Sequence, residues 1–220
     1  MYPKIKQIVV TWRQGRGSSR IPIGVVKKNE NEGMSFRYLS DGVDEAKKCG
    51  FVCYPDFTDI NSLYNKNVQQ ALSYRLNSPE RPDIEKYYDF WEIPDESKDD
   101  VYRMLAYTQG LLPTDNFEFL AQYYSITGVR FVSEITGFSD NPLETGFLSE
   151  GCMLEWKHEP SNKYDSKAIS LHFDSQKVGY VKKIHNEVFF LKNSRRLRVR
   201  VKKLEQNGHI NKAYILIYAE

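Results

Sequence analysis

From Val129 to Tyr218 turn residues cut the chain into six short β-rich pieces: Val129 to Ile135, Cys152 to Lys157, Ala168 to Phe173, Val178 to Val181, Leu197 to Leu204 and Ala213 to Tyr218. Pieces this short, rich in valine, isoleucine and aromatic residues and lacking a helical period, cannot be layered as a helix bundle. One short helix, Ile184 to Lys192, fits between the fourth and fifth pieces, and Asn207-Gly208 is a turn signal between the last two. Five or six strands with a single helix point to a small β-barrel rather than a sandwich.

The first half is patterned differently. Ile5 to Trp12, Ile21 to Val26 and Met34 to Tyr38 read as strands of a small sheet, and Asp41 to Lys48 as a short helix. The apolar residues Ile60, Leu63, Tyr64, Val68, Ala71, Leu72 and Leu76 follow helical spacing and predict one helix capped by Asp59 or Asn61. A further helix is expected over Asp83 to Phe90. Ser97, three residues before Asp100, then has the spacing of a capping box for a helix that runs through Met104 and Leu105 to Gly110. Leu111 to Gln122 shows no period. The reading is an α+β chain: a sheet with helices over residues 1–115, then a barrel domain over residues 116–220.

With 40% hydrophobic and 14% aromatic residues in 220, either half can bury a core. No apolar run approaches the roughly 18 residues of a membrane span, and MYPKIKQIVVTW has no leader-like apolar stretch, so a cytoplasmic protein is expected. Cys49, Cys53 and Cys152 match neither a zinc-ribbon spacing nor a disulfide framework and read as small buried hydrophobes. His158, His172, His185 and His209 lack metal-binding spacing, and no nucleophile elbow or phosphate-cradling glycine loop is present. The Arg13 to Arg20 loop, RQGRGSSR, lies between two strands and reads as a hairpin turn. Neither an enzyme nor a cofactor is expected.

Charge is uneven along the chain. Residues 1–120 carry 16 Lys and Arg against 18 acids, and residues 121–220 carry 15 against 11. Lys182, Lys183, Lys192, Arg195, Arg196, Arg198, Arg200, Lys202 and Lys203 fall in one run with Glu187 as its single acid. Such a run suits a polyanion, because neutralising phosphates releases condensed counterions; it also suits a solvated strand face. Three segments combine a charged or hydrogen-bonding group with an aromatic ring: Gly128-Val129-Arg130-Phe131, EPSNKYDSKAI from Glu159 to Ile169, and VGYVKK from Val178 to Lys183. Aromatic faces stack on unpaired bases while neighbouring cations hold the backbone. Asp165 would repel a phosphate, yet it can accept a hydrogen bond from a terminal hydroxyl. The same residue types serve elsewhere as turn formers, for Asn162 and Asp165, and as barrel packing, for Tyr164 and Tyr180.

EPSNKYDSKAI followed by VGYVKK resembles the HIRAN domain, and GVRF is similar to that family's short first-strand element. The resemblance spans the barrel half and implies an OB-like barrel of the kind found beside helicase and nuclease modules and in stand-alone bacterial proteins. It further implies binding of single-stranded DNA or its free 3′ end. By position it places Arg130 and Phe131 at the nucleic acid and Tyr164 on a base with Asn162 beside it. Asp165 would then meet the 3′ hydroxyl, and Tyr180 and Lys183 the strand's edge and phosphate. Tyr180 stands where the end-binding member has histidine, and the stretch from Thr136 to Glu150 is an insertion. In the first half, Ile23-Gly24-Val25-Val26 and Gly33 to Tyr38 resemble the N-terminal subdomain of HipA-type kinases without the kinase core. That likeness implies a protein-docking or antitoxin-like role beside such a kinase, and the DNA reading implies a DNA-processing partner. With Arg81-Pro82-Asp83 and Thr114 to Glu118, the combination is similar to stand-alone bacterial HIRAN proteins.

Overall fold

The computed structural model describes residues 2–15, 17–137, 143–144, 146–207 and 209–220. Arg16 of the RQGRGSSR loop, Gly208 of the Asn-Gly turn and part of the insertion, residues 138–142 and 145, lie outside the described residues. The chain forms two compact units, Ile5–Gln122 and a second made of residues 2–4 with Tyr123–Glu220.

In the first unit the expected strands form where valine, isoleucine and aromatics alternate or cluster: β1 (Ile5–Trp12), β2 (Ile21–Asn29) and β3 (Gly33–Tyr38), followed by α1 (Ser40–Lys47). Next come β4 (Leu63–Tyr64), α2 (Val68–Ser73), α3 (Ile84–Trp91), α4 (Val101–Thr108) and β5 (Phe117–Tyr123). The five-stranded sheet has the order β4-β3-β2-β1-β5. Its core is unusually aromatic: Phe36 stacks on Phe57 at 4.5 Å and meets Tyr38 edge-on at 4.8 Å, while Tyr54 packs on Phe117 at 4.9 Å.

Three expectations are corrected here. The single helix from Ile60 to Leu76 is broken, because the Asp59 carboxylate accepts the Asn61 N–H (2.9 Å) and the Ser62 hydroxyl, a local alternative to helix. Leu63 and Tyr64 then pair with Arg37 and Phe36, and only Val68–Ser73 is helical. The helix expected to start at Ser97 starts instead at Asp100, whose carboxylate accepts the Arg103 N–H at 3.2 Å. Ser97 closes a 3₁₀ turn, its hydroxyl buried without a hydrogen-bond partner among the described residues. Finally, the division falls after Gln122 rather than after residue 115, because 117–123 is a strand of the first sheet. FEFLAQY is buried on both faces, so it shows no alternation to read. Its Glu118 is 2% exposed, neutralised by Arg20 at 2.8 Å and Arg13 at 3.6 Å.

The described residues of the second unit form strands and short 3₁₀ helices, so the α+β class of the chain comes from the α-helices of the first unit. Strands β6 (Arg130–Thr136), β7 (Met153–His158), β8 (Ile169–Phe173), β9 (Gln176–Val181), β10 (Leu197–Gln206) and β11 (Ile210–Ala219) close into a barrel in the order β10-β11-β6-β9-β8-β7, with β7 returning to β10. Alternation along β10 sends Leu197, Val199 and Val201 inward and Arg198, Arg200 and Lys202 outward. Gly179 marks a close strand approach: a Cβ there would meet Ile135 Cγ2 at 2.5 Å and the Thr136 carbonyl oxygen at 2.6 Å, at φ +138°. The expected helix at Ile184 to Lys192 is a 3₁₀ helix, His185–Phe190, entered through Ile184 at φ +78°. It carries Phe189, which is buried against Trp156 of β7 at 4.9 Å.

Candidate functional site

The EPSNKYDSKAI segment is the loop from β7 into β8, and its shape comes from its own side chains. The Asn162 Oδ1 accepts the backbone N–H of Tyr164 (3.0 Å) and of Asp165 (3.2 Å), and the Asp165 Oδ1 accepts that of Lys167 (2.9 Å). These are the turns that short polar side chains form with backbone two or three residues on. The Asp165 Oδ2 also accepts from Asn186 Nδ2 at 2.8 Å, and the same amide donates to the Lys167 carbonyl at 2.8 Å. Asn186 is buried in the 3₁₀ helix, so one side chain ties the loop to that helix.

A second knot lies on the other side of the loop. Glu159 Oε1 accepts from the Tyr180 hydroxyl at 3.0 Å and from Asn162 Nδ2 at 3.4 Å, while Lys177 Nζ donates to the Tyr180 hydroxyl at 2.9 Å. Burial by itself would raise the Glu159 pKa; the Tyr180 hydroxyl, Lys177 and Asn162 outweigh it and hold the carboxyl below its ordinary range. The hydrogen bond to Tyr180, opposed by partial desolvation and helped by Glu159, raises Lys177. The Tyr180 hydroxyl is thus already engaged by Glu159 and Lys177.

Tyr164 is different. Its ring is 90% exposed at the tip of a turn whose backbone is bonded on both sides, so it fills no part of the barrel. Lys163 and Lys167 on the same loop are exposed, as is Lys183 after β9, and Lys167 faces Glu187 at 3.8 Å. Asn162, Tyr164, Asp165 and Tyr180 are therefore brought together on one loop and its strand neighbour, and Lys183 lies three residues before the Asn186 that anchors that loop.

Other sequence candidates go elsewhere. Phe131 is 0% exposed and packs between Tyr123 at 5.3 Å and His185 at 4.8 Å, so its ring offers no face to a base. Arg130, its neighbour, is exposed and lies over the Tyr218 ring at 5.6 Å. It starts β6, whereas Tyr180 pairs with Thr136 at the other end, roughly 20 Å of strand away at 3.4 Å per residue. The basic run also loses a member: Lys182 is fully buried, bonded to Glu134 Oε2 at 3.1 Å, with Lys212 on the other carboxylate oxygen at 2.8 Å. Glu159, Lys177 and Asn186 were not singled out in the sequence. Glu159 at least stands inside the segment that was, but Asn186 reaches Asp165 across 21 residues with no local signal.

Among the described residues no group of three or more His, Cys, Asp or Glu side chains could hold a metal ion, and no described helix is long and apolar enough to cross a membrane. No protein-family model and no curated protein matches the chain. Neither comparison therefore supports the HipA-like resemblance of the first sheet. Among solved structures, the chain is similar to the crystal structure of the HIRAN domain of human HLTF, at 17% identity over 41% of this chain and 76% of that one, with a TM-score of 0.33.

Proposed function

We propose that the loop and barrel rim bind single-stranded DNA, with preference for a free 3′ end, without chemistry on it, and that the bound protein recruits a partner to that site. The carrying observation is Tyr164: a ring 90% exposed on a turn locked by Asn162 and Asp165, with the exposed Lys163 and Lys167 on the same loop. A solvated aromatic costs the fold a hydrophobic surface and contributes no packing, whereas on a rigid support it is ready to stack on an unpaired base. Asp165 makes two hydrogen bonds, and a carboxylate has room for more. A 3′ hydroxyl can donate to it; a 3′ phosphate would be repelled.

The test is fluorescence anisotropy of a labelled single strand carrying either a free 3′ hydroxyl or a 3′ phosphate, titrated at low and raised salt. The reading expects tighter binding to the hydroxyl end and a steep loss with salt as counterions return to the strand. Equal binding to both strands would remove the end preference, and no binding to either at low salt would refute the reading as a whole. Recruitment is tested by co-purification with a kinase-core or DNA-processing protein.

A further inference from the structure

We infer a second base-stacking platform where the 3₁₀ helix meets β7, built from the rings of Phe190 and His158 and backed by Trp156, which takes a nucleotide further along the strand. It rests on the reading of the Tyr164 loop as a single-strand site.

The two phenylalanines at the end of the 3₁₀ helix have opposite fates. Phe189 is 1% exposed and packs edge-on to Trp156 at 4.9 Å; Phe190 is 48% exposed, although nothing about the fold requires an apolar residue there. Phe190 touches one ring, the exposed His158 at 4.6 Å and 69°, and His158 in turn meets Trp156 at 5.5 Å. Edge-to-face contacts leave a π face of each ring uncovered by its partner. The three rings are held from both sides. Trp156 Nε1 donates to the Leu197 carbonyl at 3.2 Å, and the 3₁₀ helix that carries Phe190 also carries the Asn186 that anchors the Tyr164 loop.

What identifies the occupant is the charge beside the rings. Lys192, Arg195 and Arg196 follow Phe190 directly in the chain, all three are exposed, and none has an ion-pair partner among the described residues. Arg196 is fixed where Leu197 meets Trp156, its carbonyl accepting the Glu220 N–H at 3.1 Å. Exposed rings edged by unpaired cations suit the alternating bases and phosphates of a single strand; an apolar protein helix would leave those cations without partners. The strip continues outward along β10 to Arg198, which pairs with Tyr218 on β11, whose other cross-strand neighbour is Arg130 on β6. Arg130 would then sit at the far end of a longer track, away from Tyr164.

The experiment compares wild type, Phe190→Ala, Phe190→Trp, His158→Ala and Tyr164→Ala by anisotropy, on a labelled strand of about ten nucleotides and on one of about three. Phe190→Ala and His158→Ala are expected to weaken the long strand by about five- to tenfold and leave the short one unchanged, while Phe190→Trp keeps wild-type affinity. Unchanged short-strand binding also shows that each variant is folded. Long-strand binding untouched by Phe190→Ala, where Tyr164→Ala weakens both strands, overturns the platform and spares the loop site. If wild type binds neither strand, the DNA reading fails and the platform with it.

Discussion

Tyr164 and Phe131 were equal candidates for stacking in the sequence, and the structure makes opposite predictions for the two. Tyr164 is 90% exposed, so Tyr164→Ala removes almost no buried area and should leave stability within about 0.5 kcal/mol of wild type. If its ring stacks on a base, affinity for single-stranded DNA should fall by about 1 to 3 kcal/mol, a Kd increase of roughly 5- to 150-fold. Phe131 is 0% exposed between Tyr123 and His185, and Phe131→Ala should cost about 3 to 5 kcal/mol of stability through lost burial and the cavity left behind. Its affinity, measured on the fraction that remains folded, should stay within a few-fold of wild type. Both quantities come from the same preparations: urea unfolding for stability and anisotropy of a labelled strand for affinity. The reasoning is refuted if Tyr164→Ala binds as wild type does. It is equally refuted if Tyr164→Ala loses stability on the scale of the Phe131 variant, since the ring would then be packing residue and not platform.

The buried ion network around Glu134 gives a second expectation. Lys182→Met should be better tolerated than Glu134→Ala, because the first leaves Glu134 with Lys212, whereas the second leaves the fully buried Lys182 without its carboxylate, at about 3 to 5 kcal/mol by chemical denaturation. Gly179→Ala forces a Cβ to 2.5 Å from Ile135 at φ +138° and should lower stability by more than about 1 kcal/mol; a neutral melting curve would contradict the strand contact. For pH, Glu159 is held below its ordinary range, so its contribution is complete above the unfolded value near 4.3 and is lost as pH falls through the folded one. Glu159→Gln should flatten that acid limb of stability by less than about 1 kcal/mol, the site being partly solvated, and a steeper limb in the variant would reverse the assignment.

Much of the fold was legible in the sequence because local patterns carried it. All six barrel strands and the first three strands of the sheet appear where β-branched and aromatic runs sit between turn residues. Apart from the Asp59 turn and the Asp100 cap, which local hydrogen bonds set, the failures come where a long-range partner changes the meaning of a local pattern. Tyr64 lies in a helical period but pairs with Phe36. Phe117 to Tyr123 lacks alternation because both its faces are covered. Lys182 reads as part of a basic run and is buried on Glu134.

The candidate site divides in the same way. That the segment from Glu159 to Ile169 turns, and that Asn162 and Asp165 turn it, follows from the sequence alone, because short polar side chains bond backbone within a few residues. Which rings reach solvent does not follow, since Phe131, Tyr164, Phe189 and Phe190 are all aromatic and all flanked by plausible partners. Only closure of the barrel buries Phe131 and Phe189 and leaves Tyr164 and Phe190 exposed, because inside and outside exist only once distant strands have paired.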